Sequence, residues 1–504
     1  MTAANSTHIQ SFWRQTGEKR TYDKLNENLE VDVLVAGAGI AGIASAYLLA
    51  EKGFKVALLE AREIMSGTTG FTTAKLTAQH NLIYDELINR YGQDMAKLYY
   101  QANMEGIALA RELAEKHNID ADLEEQDAFV FTQDAKNRDK VKKEAEAYEK
   151  LGIEGAFIEN LPLNIDVEAA VMMRNQAQFH PVKFLNGLLK ELETKGAKIF
   201  EHSKLMEAEI DGEKVLGKTD AGHTVTCRHL VQATHLPIDE REENFYSANL
   251  NPESSYALAV KTDKEFPDGV YINADLPKRT IRKMKADGED YILVGGESHP
   301  TGDGLSSEKR YKELKTYADE LHGNKEVAYQ WSSHDYISAD RIPFIGQLHP
   351  DEQGIYTVTG FGKWGLASAL TGGKLLSDII SGKEDNPYQE LFSPQREIKE
   401  MEHVEPKEEN DENYPDSSSA ASRPEDLQEN QGAVMKVGGE DVGAYKDKGG
   451  SVHLLDLTCT HLGCGVQWND GDCTWDCPCH GSRFGATGEV IEGPAVEDLK
   501  KVNE

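Results

Sequence analysis

The chain has 504 residues and a formal net charge of −33, so it is long enough for more than one domain and a large buried core. Because so acidic a surface repels nucleic acid and anionic membranes, we expect neither as a partner. The sequence contains no run of eighteen apolar residues, and residues 1–30 are polar without the apolar stretch of a signal peptide. We therefore expect no membrane-spanning helix and a cytoplasmic location.

The first part of the chain has the pattern of a parallel α/β sheet. Residues 31–36 form a β-branched run, residues 40–52 are rich in Ala, Ile and Leu and are closed by Gly53, and residues 55–60 form a second apolar run. This order predicts a strand, a helix with a glycine cap and a second strand. Further helices are expected at residues 82–116, 134–151, 184–195 and 370–380, with short mixed strands between about 157 and 358.

The composition changes after about residue 386. Residues 395–430 are rich in Glu and Asp and hold too few apolar residues to form a core, so we predict an acidic linker there. From Val434 onward strand-like runs return between Gly-rich turns, which predicts a small all-β domain. Five of the six cysteines lie between Cys459 and Cys479, and this clustering indicates a metal site more than a disulfide scaffold.

A dinucleotide-binding motif joins the first strand to the first helix. Residues 37–42 read Gly-Ala-Gly-Ile-Ala-Gly and fit G-x-G-x-x-G. In this motif Gly37 permits the tight turn, Gly39 lets the backbone approach a pyrophosphate, and Gly42 allows close packing of helix on strand. The helix N-terminus then attracts the phosphates, and Glu60 at the end of the second strand suits a ribose hydroxyl.

A carboxylate at Glu60 suits FAD and NAD alike, so the choice depends on other loops. Residues 66–75 form a hydroxyl-rich loop of small residues, and residues 359–365 read Thr-Gly-Phe-Gly-Lys-Trp-Gly just before the last helix of the first domain. A glycine loop entering a helix can direct N–H groups at the anionic side of a flavin. We therefore favour FAD.

Residues 31–382 resemble the FAD-dependent D-amino-acid oxidase family, which includes glycine oxidase and sarcosine oxidase. The resemblance rests on the G-x-G-x-x-G motif with Glu60, the 67–75 loop, Val231-Gln232-Ala233-Thr234, and residues 340–346 followed by 359–365. It implies FAD and the oxidation of C–N bonds in amines or amino acids. It also implies FAD contacts at Gly37, Gly39, Gly42, Glu60, Thr72, Thr73, Gly362 and Gly365.

Three basic residues are candidates for catalysis. Arg282 precedes an apolar run and could bind a substrate carboxylate through two parallel hydrogen bonds, although an ordinary surface arginine fits the same sequence. Lys75 and Lys363 could stabilise a reduced flavin or could simply be solvated. Lys75 also stands where amino-acid oxidases carry small residues, which departs from the family pattern.

The C-terminal cysteines and histidines have the spacing of a Rieske-type [2Fe–2S] site. The pattern is C-x-H at Cys459 and His461, then C-x-x-H at Cys477 and His480. Two thiolates would hold one iron and two neutral histidines the other. A mononuclear zinc site also accepts two Cys and two His ligands, but zinc fingers pair C-x-x-C with H-x-x-x-H rather than interleaving the two residue types.

Residues 434–502 resemble Rieske domains, most closely those of respiratory and photosynthetic cytochrome complexes. The flanking Leu-Gly-Cys and Pro-Cys-His-Gly-Ser segments and Gly493-Pro494-Ala495 carry this resemblance. It implies a disulfide between Cys464 and Cys479 that links the two cluster loops.

These patterns predict an α/β fold, with a Rossmann-like FAD-binding domain into which a mixed β substrate domain is inserted, plus a small all-β Rieske domain. We expect an N-terminal extension (1–30), the FAD-dependent oxidoreductase domain (31–394), the linker (395–430) and the Rieske domain (431–504). The expected function is to pass electrons between a small organic substrate, an amine or amino acid, FAD, the cluster and an external donor or acceptor. The alternatives are an electron-transfer or redox-sensing protein without an organic substrate, and an oxidase that uses O₂.

Overall fold

The structure is a computed structural model that describes residues 10–238, 245–303, 306–323, 325–383, 385–401 and 423–502. Its helices are α1 Phe12–Thr16, α2 Ile40–Glu51, α3 Tyr84–Tyr91, α4 Gln93–Lys116, α5 Arg138–Leu151, α6 Pro181–Thr194, α7 Phe245–Asn249, α8 Ser307–His322, α9 Gly365–Ile380 and α10 Gln389–Phe392. Short 3-10 helices lie at Thr68–Phe71, Ala135–Asn137 and Pro424–Asp426. None of the helices in these ranges is long and apolar enough to cross a lipid bilayer.

The strands of the N-terminal part number nineteen within the described residues. They are β1 Leu29–Glu30, β2 Val33–Ala36, β3 Val56–Leu59, β4 Lys75–Leu76, β5 Glu124–Thr132, β6 Gly155–Ile158, β7 Ala169–Gln178, β8 Lys198–Phe200, β9 Leu205–Asp211, β10 Lys214–Thr219, β11 Thr224–Cys227, β12 His229–Gln232, β13 Leu250–Thr262, β14 Val270–Asn273, β15 Arg279–Ala286, β16 Glu289–Pro300, β17 Val327–Ser338, β18 Phe344–Gln347 and β19 Ile355–Thr359.

A six-stranded sheet in the order β18-β19-β12-β2-β3-β8 forms the dinucleotide-binding half. Strands β2, β3 and β12 run parallel, and every residue of β2 and β3 is buried because both faces of such a sheet are covered. Helix α2 covers one face and packs so closely on α9 that a Cβ on Gly373 would lie 3.0 Å from the Ser45 nitrogen. The predicted strand–helix–strand unit is confirmed.

A larger mixed sheet is inserted between these strands and carries the second half of the domain. Its strand order is β17-β13-β16-β15-β14-β5-β7-β4, and β6 pairs with β7 at the side. The long strands β13, β16 and β17 are antiparallel neighbours. Their central residues are mostly buried, and partly exposed residues lie toward the strand ends. This is the mixed β domain that the sequence predicts. A third sheet, β1-β11-β10-β9, lies beside the first.

Two segments outside the expected oxidoreductase boundaries pack on this domain. Phe12 and Trp13 of the N-terminal extension are 0 % and 2 % exposed, and the Trp13 indole donates to the Thr72 carbonyl at 2.6 Å. At the start of the predicted linker, Arg396 makes two 2.8 Å hydrogen bonds to the buried Asp340 carboxylate. Charge pairing therefore anchors residues 395–401, whereas residues 402–422 of the predicted linker lie outside the described ranges.

The C-terminal domain is all-β, as predicted. Its strands are β20 Gln431–Val437, β21 Glu440–Lys446, β22 Val452–Asp456, β23 Gln467–Asn469, β24 Thr474–Asp476, β25 Arg483–Gly485 and β26 Val490–Glu492. They form two sheets, β20-β21-β22 and β23-β24-β25-β26. The domain is docked on the N-terminal domain, where the hydroxyls of Ser306 and Ser307 donate to the Asp470 carboxylate at 2.7 and 2.9 Å.

Candidate functional site

A cavity of about 1190 Å³ lies where the two domains meet. Residues of the glycine motif line one side, strands of the mixed sheet line another, and loops of the C-terminal domain close it. Seven of the eight predicted FAD contacts line this cavity, namely Gly37, Gly39, Glu60, Thr72, Thr73, Gly362 and Gly365. The structure thus brings together residues that are more than 300 positions apart in the chain.

The glycine turn is shaped by close backbone contacts. Gly37 has a φ of +98°, and a Cβ there would lie 2.3 Å from the Ala233 carbonyl oxygen. A Cβ on Gly42 would lie 1.8 Å from the Gly37 carbonyl oxygen. Gly42 does not line the cavity; it holds helix α2 against the turn, which is the packing role that the motif predicts.

The Glu60 carboxylate stands at the edge of the cavity and braces the turn. It accepts hydrogen bonds from the Ala38 nitrogen at 2.8 Å and the Arg62 nitrogen at 3.0 Å. The N-terminus of α2 faces the same space, because Gly39, Ile40 and Ala41 line the cavity. A helix N-terminus that attracts phosphates, next to a carboxylate that can accept from ribose hydroxyls, is the combination that an adenine dinucleotide requires.

The loop before α9 faces the opposite end of the cavity. Gly362 and Lys363 both have a positive φ, +56° and +72°, so the chain turns sharply and presents the start of α9 to the cavity. The Lys363 nitrogen donates to the Asp335 carboxylate at 2.6 Å, and the Lys363 ammonium pairs with Glu253 at 2.5 Å. The residues that line the cavity fit FAD, which Glu60, the glycine turn and this loop would hold.

Lys75 faces the cavity beside an aromatic stack. Its ammonium donates to the Thr280 hydroxyl at 2.9 Å and lies 4.7 Å from the centre of the Trp364 ring, which in turn stacks on His80 at 5.0 Å. Burial, with a smaller effect from the nearby Arg282 charge, lowers the pKa of Lys75 to about 7. A lysine with this pKa changes its charge near neutral pH.

Arg282 lies behind the cavity wall rather than in it. The side chain is 2 % exposed, its Nε donates to the Thr73 carbonyl at 2.7 Å, and its guanidinium lies 5.0 Å from the Trp13 ring centre. It is not among the residues that line the cavity. Its contacts therefore suit the positioning of Thr73, because its Nε is bonded to the Thr73 carbonyl and Trp13 of α1 covers its guanidinium.

Sequence reasoning missed a polar group at the interface with the C-terminal domain. His235, Asp335 and Tyr336 line the cavity, and the His235 Nε2 lies 2.9 Å from Asp335 Oδ1. The available signal was His334-Asp335-Tyr336 inside a strand, since buried polar residues in a strand interior need partners. The residues that bond to these polar side chains come from distant parts of the chain, so the sequence does not show which residues they are.

The four predicted cluster ligands converge at one end of the C-terminal domain. Cys459 and Cys477 are 2 % and 1 % exposed, and hydrogen bonding from the Cys477 thiol is the main cause that lowers the pKa of Cys459. The rings of His461 and His480 lie 5.0 Å apart and perpendicular. The Nδ1 atom of His461 is buried without a hydrogen-bond partner in the described part of the chain. Two thiols and two imidazoles arranged in this way fit a [2Fe–2S] cluster.

The loops that carry these ligands also close the cavity. His461, Leu462, Pro478 and Cys479 are among the lining residues, and the disulfide between Cys464 and Cys479 is formed with an S–S distance of 2.00 Å. The predicted disulfide is therefore confirmed. The Tyr336 hydroxyl donates to the His480 carbonyl at 2.7 Å, which joins the N-terminal domain to a predicted cluster ligand.

Comparison with known proteins supports both halves of this arrangement. Residues 32–379 match the family described as FAD dependent oxidoreductase, and residues 418–503 match the Rieske [2Fe-2S] domain. The Rieske 2Fe-2S iron-sulfur protein YhfW of Bacillus subtilis (strain 168) is 38% identical over 504 residues, covering 98% of this chain and 97% of that protein. FAD and a [2Fe-2S] cluster are therefore the cofactors of this protein.

Two more distant relatives match the N-terminal domain. Gamma-glutamylputrescine oxidoreductase of Escherichia coli (strain K12) is 23% identical over 390 residues, covering 74% of this chain and 89% of that protein. The crystal structure of glycine oxidase from Geobacillus kaustophilus superposes with a TM-score of 0.63 at 20% identity, covering 74% of this chain and all of that chain. The second match shows the fold alone.

Proposed function

Because this chain belongs to the FAD dependent oxidoreductase family and also carries a Rieske [2Fe-2S] domain, we propose that it oxidises a small amine or amino acid and passes the electrons within one molecule to its own cluster and then to an external acceptor. When bound, FAD accepts two electrons from a C–N bond and the cluster carries one at a time. The residues described below hold and connect the two groups.

The observation that carries this proposal is a chain of contacts from the flavin loop to a cluster ligand. The Gly362 nitrogen donates to the Tyr336 carbonyl at 2.9 Å, and the Tyr336 hydroxyl donates to the His480 carbonyl at 2.7 Å. One buried tyrosine therefore connects a predicted FAD contact with a predicted iron ligand. If the C-terminal domain were docked only for stability, its His480 loop would not need to lie beside the predicted flavin-binding loop.

Basic residues in the cavity wall favour a substrate that carries a carboxylate. Lys75, Lys278 and Arg279 line it, although Arg279 is neutralised by Glu297 at 2.8 Å. An anionic substrate group gains a charge-assisted hydrogen bond from an amine that has few other partners. Two relatives, a gamma-glutamylputrescine oxidoreductase and a glycine oxidase, bear names consistent with an amine or amino-acid substrate.

Carboxylate binding is expected to weaken as the pH rises through about 7. The pKa of Lys75 is lowered to about 7, so the ammonium that would hold the anion is present below this pH and lost above it. Acetate is a suitable probe, because it has no group that titrates near neutral pH. Its affinity, followed by flavin absorbance, should fall between pH 6 and pH 9.

The Lys75→Met variant should remove this pH dependence and weaken acetate binding by about tenfold or more, as expected for a lost hydrogen bond to a charged group. Lys218→Met is the control, because that lysine does not line the cavity and pairs with Glu207 and Glu209 of the neighbouring strand β9. Equal acetate affinity of the unmodified protein at pH 6 and pH 9 would contradict a role for Lys75 in binding the anion.

Replacing Tyr336 by phenylalanine is expected to slow electron transfer from flavin to cluster by about two- to tenfold. The substitution removes one hydrogen bond worth about 1 kcal/mol, which corresponds to a rate change within this range. It keeps the aromatic ring, whose centre lies 4.7 Å from that of the His235 ring. Stopped-flow absorbance measures the rate, with both cofactor contents checked first. Tyr445→Phe is the matched control, because its hydroxyl donates at 3.2 Å to Asn430, just before strand β20, and not to the N-terminal domain. An equal slowing in both variants would refute a specific role for Tyr336.

The substrate class is tested by mixing the oxidised protein anaerobically with a panel of amines and amino acids. We expect one class to bleach the flavin absorbance and to produce the EPR signal of a reduced Rieske cluster in the same sample. If both cofactors are reduced by dithionite but no member of the panel reduces either, the proposal of an organic substrate of this class fails. Flavin bleaching without an EPR signal would refute transfer to the cluster.

A further inference from the structure

Two histidines of the oxidoreductase domain and one glutamate of the Rieske domain meet at the domain interface. The Oε1 atom of Glu492 lies 3.4 Å from the Nδ1 of His235 and 3.5 Å from the Nδ1 of His334. One ligand atom from each of the three residues lies within 4.8 Å of the others. We propose that this interdomain triad, His235, His334 and Glu492, binds a divalent metal ion, with zinc as the best match.

The distances fit ligands that share an ion. Zinc holds nitrogen and oxygen ligands at about 2.0–2.1 Å in a tetrahedron, so two of its ligands stand about 3.3 Å apart. The distances of 3.4 and 3.5 Å from the Glu492 Oε1 to the two Nδ1 atoms are close to this separation between ligand atoms. A direct N–H···O hydrogen bond to a carboxylate would be shorter. Imidazole and carboxylate are also the donor types that zinc accepts.

His334 provides an independent indication of a ligand. Its side chain is 1 % exposed. Its Nε2 has no hydrogen-bond partner among the residues that the structure describes, and the 3.5 Å contact of its Nδ1 with Glu492 is too long for a good hydrogen bond. A buried imidazole normally finds a partner, because an unsatisfied nitrogen loses its hydration without replacement. A metal ion between His334 and Glu492 would satisfy the Nδ1.

The His235 ring nitrogen that does not face Glu492 is bonded to a carboxylate, as is common for histidines that bind metals. This Nε2 atom lies 2.9 Å from Asp335 Oδ1, and Asp335 also accepts from the Tyr336 nitrogen at 2.8 Å and from the Lys363 nitrogen at 2.6 Å. A carboxylate that accepts the N–H of a ligating histidine orients the ring and makes its other nitrogen the metal-binding atom. The two carboxylates, Asp335 and Glu492, also balance the charge of a divalent ion.

The triad is separate from the iron–sulfur ligands and joins the two domains. None of Cys459, His461, Cys477 and His480 belongs to it, but Tyr336 packs against both of its histidines, with ring centres 4.7 and 5.1 Å away. A metal here would fix the Rieske domain where Tyr336 reaches the His480 carbonyl. His235 and Glu492 also line the cavity, so one coordination position can remain open on that side.

The first test measures metals in the intact holoenzyme after incubation with zinc and gel filtration. Elemental analysis should find one zinc per chain besides the two irons of the cluster. Glu492→Gln and His334→Ala should each weaken zinc binding at least about tenfold while they retain iron and flavin. Glu497→Gln, which changes an exposed carboxylate in the segment that follows strand β26, should bind zinc normally.

The second test uses the unmodified protein and does not depend on how the variants fold. Anomalous diffraction from zinc-soaked crystals, recorded above and below the zinc absorption edge, should show a peak between His235, His334 and Glu492. No peak there, or a zinc content that is the same in Glu492→Gln as in the unmodified protein, would overturn the proposal and leave the triad as an ionic contact between the domains.

Discussion

Replacing Gly42 by alanine is expected to abolish FAD binding. The added Cβ would lie 1.8 Å from the Gly37 carbonyl oxygen, which is backbone and cannot rotate away. Either α2 must move off the sheet or the turn at residues 37–39 must open. Overpacking typically costs about 1–3 kcal/mol, and a clash with fixed backbone belongs at the upper end of that range. Replacing glycine by alanine inside a helix gains about 1 kcal/mol of helix propensity, which does not offset the cost of this clash.

The flavin-to-protein ratio measures this effect, from the absorbance of flavin released on denaturation. Gly465→Ala is the control, because a Cβ there meets nothing within 4 Å and the backbone does not have a positive φ. That variant should keep a full complement of flavin. Stoichiometric FAD in the Gly42→Ala protein would show that the turn is not packed as the structure has it.

Replacing Cys477 by serine is expected to eliminate the [2Fe–2S] cluster and to leave FAD bound. The Cys477 thiol is 1 % exposed and contacts the Cys459 thiol, and the iron it would hold needs a thiolate ligand. A serine hydroxyl is too poorly ionised to replace it. Iron content and the EPR spectrum of the reduced protein should both fall to background, while the flavin absorbance remains.

Cys473→Ser is a control for the same substitution in the same domain. The Cys473 sulfur lies 3.9 Å from the carbonyl oxygens of Asn430 and Asp470 and contacts no predicted ligand. We expect full iron content and an unchanged EPR signal in this variant. A cluster that persists in Cys477→Ser, or disappears equally in Cys473→Ser, would mean that the ligand assignment is wrong.

The features that the sequence predicts well are those set by neighbours in the chain. The strand at residues 31–36, the glycine turn and Glu60 lie within 30 residues, and each residue has its role through local backbone geometry. The predicted cluster ligands likewise lie on two short segments, residues 459–461 and 477–480. The helix predicted at residues 82–116 is instead two helices, α3 and α4, because Gly92 between them has a φ of +85°.

The features that sequence reasoning did not predict depend on distant contacts. Arg282 was a candidate for substrate binding, yet Trp13, which is more than 260 residues away, covers it. Arg396 fell in the predicted linker because the local composition is acidic, but its bonds to Asp340 attach it to the first domain. The interdomain triad combines residues of two domains, so the polar residues inside strand β17 indicate a buried polar site there but not which partners complete it.

Transfer of electrons within one molecule is the central claim, and its kinetic order tests it most directly. A light pulse with an external photoreductant reduces the flavin anaerobically, and the absorbance of the cluster is then followed at several protein concentrations. The docked arrangement, with Tyr336 bonded to the His480 carbonyl, predicts a first-order rate constant that does not change with concentration. A rate that increases in proportion to protein concentration would contradict it, because electrons would then pass between separate molecules.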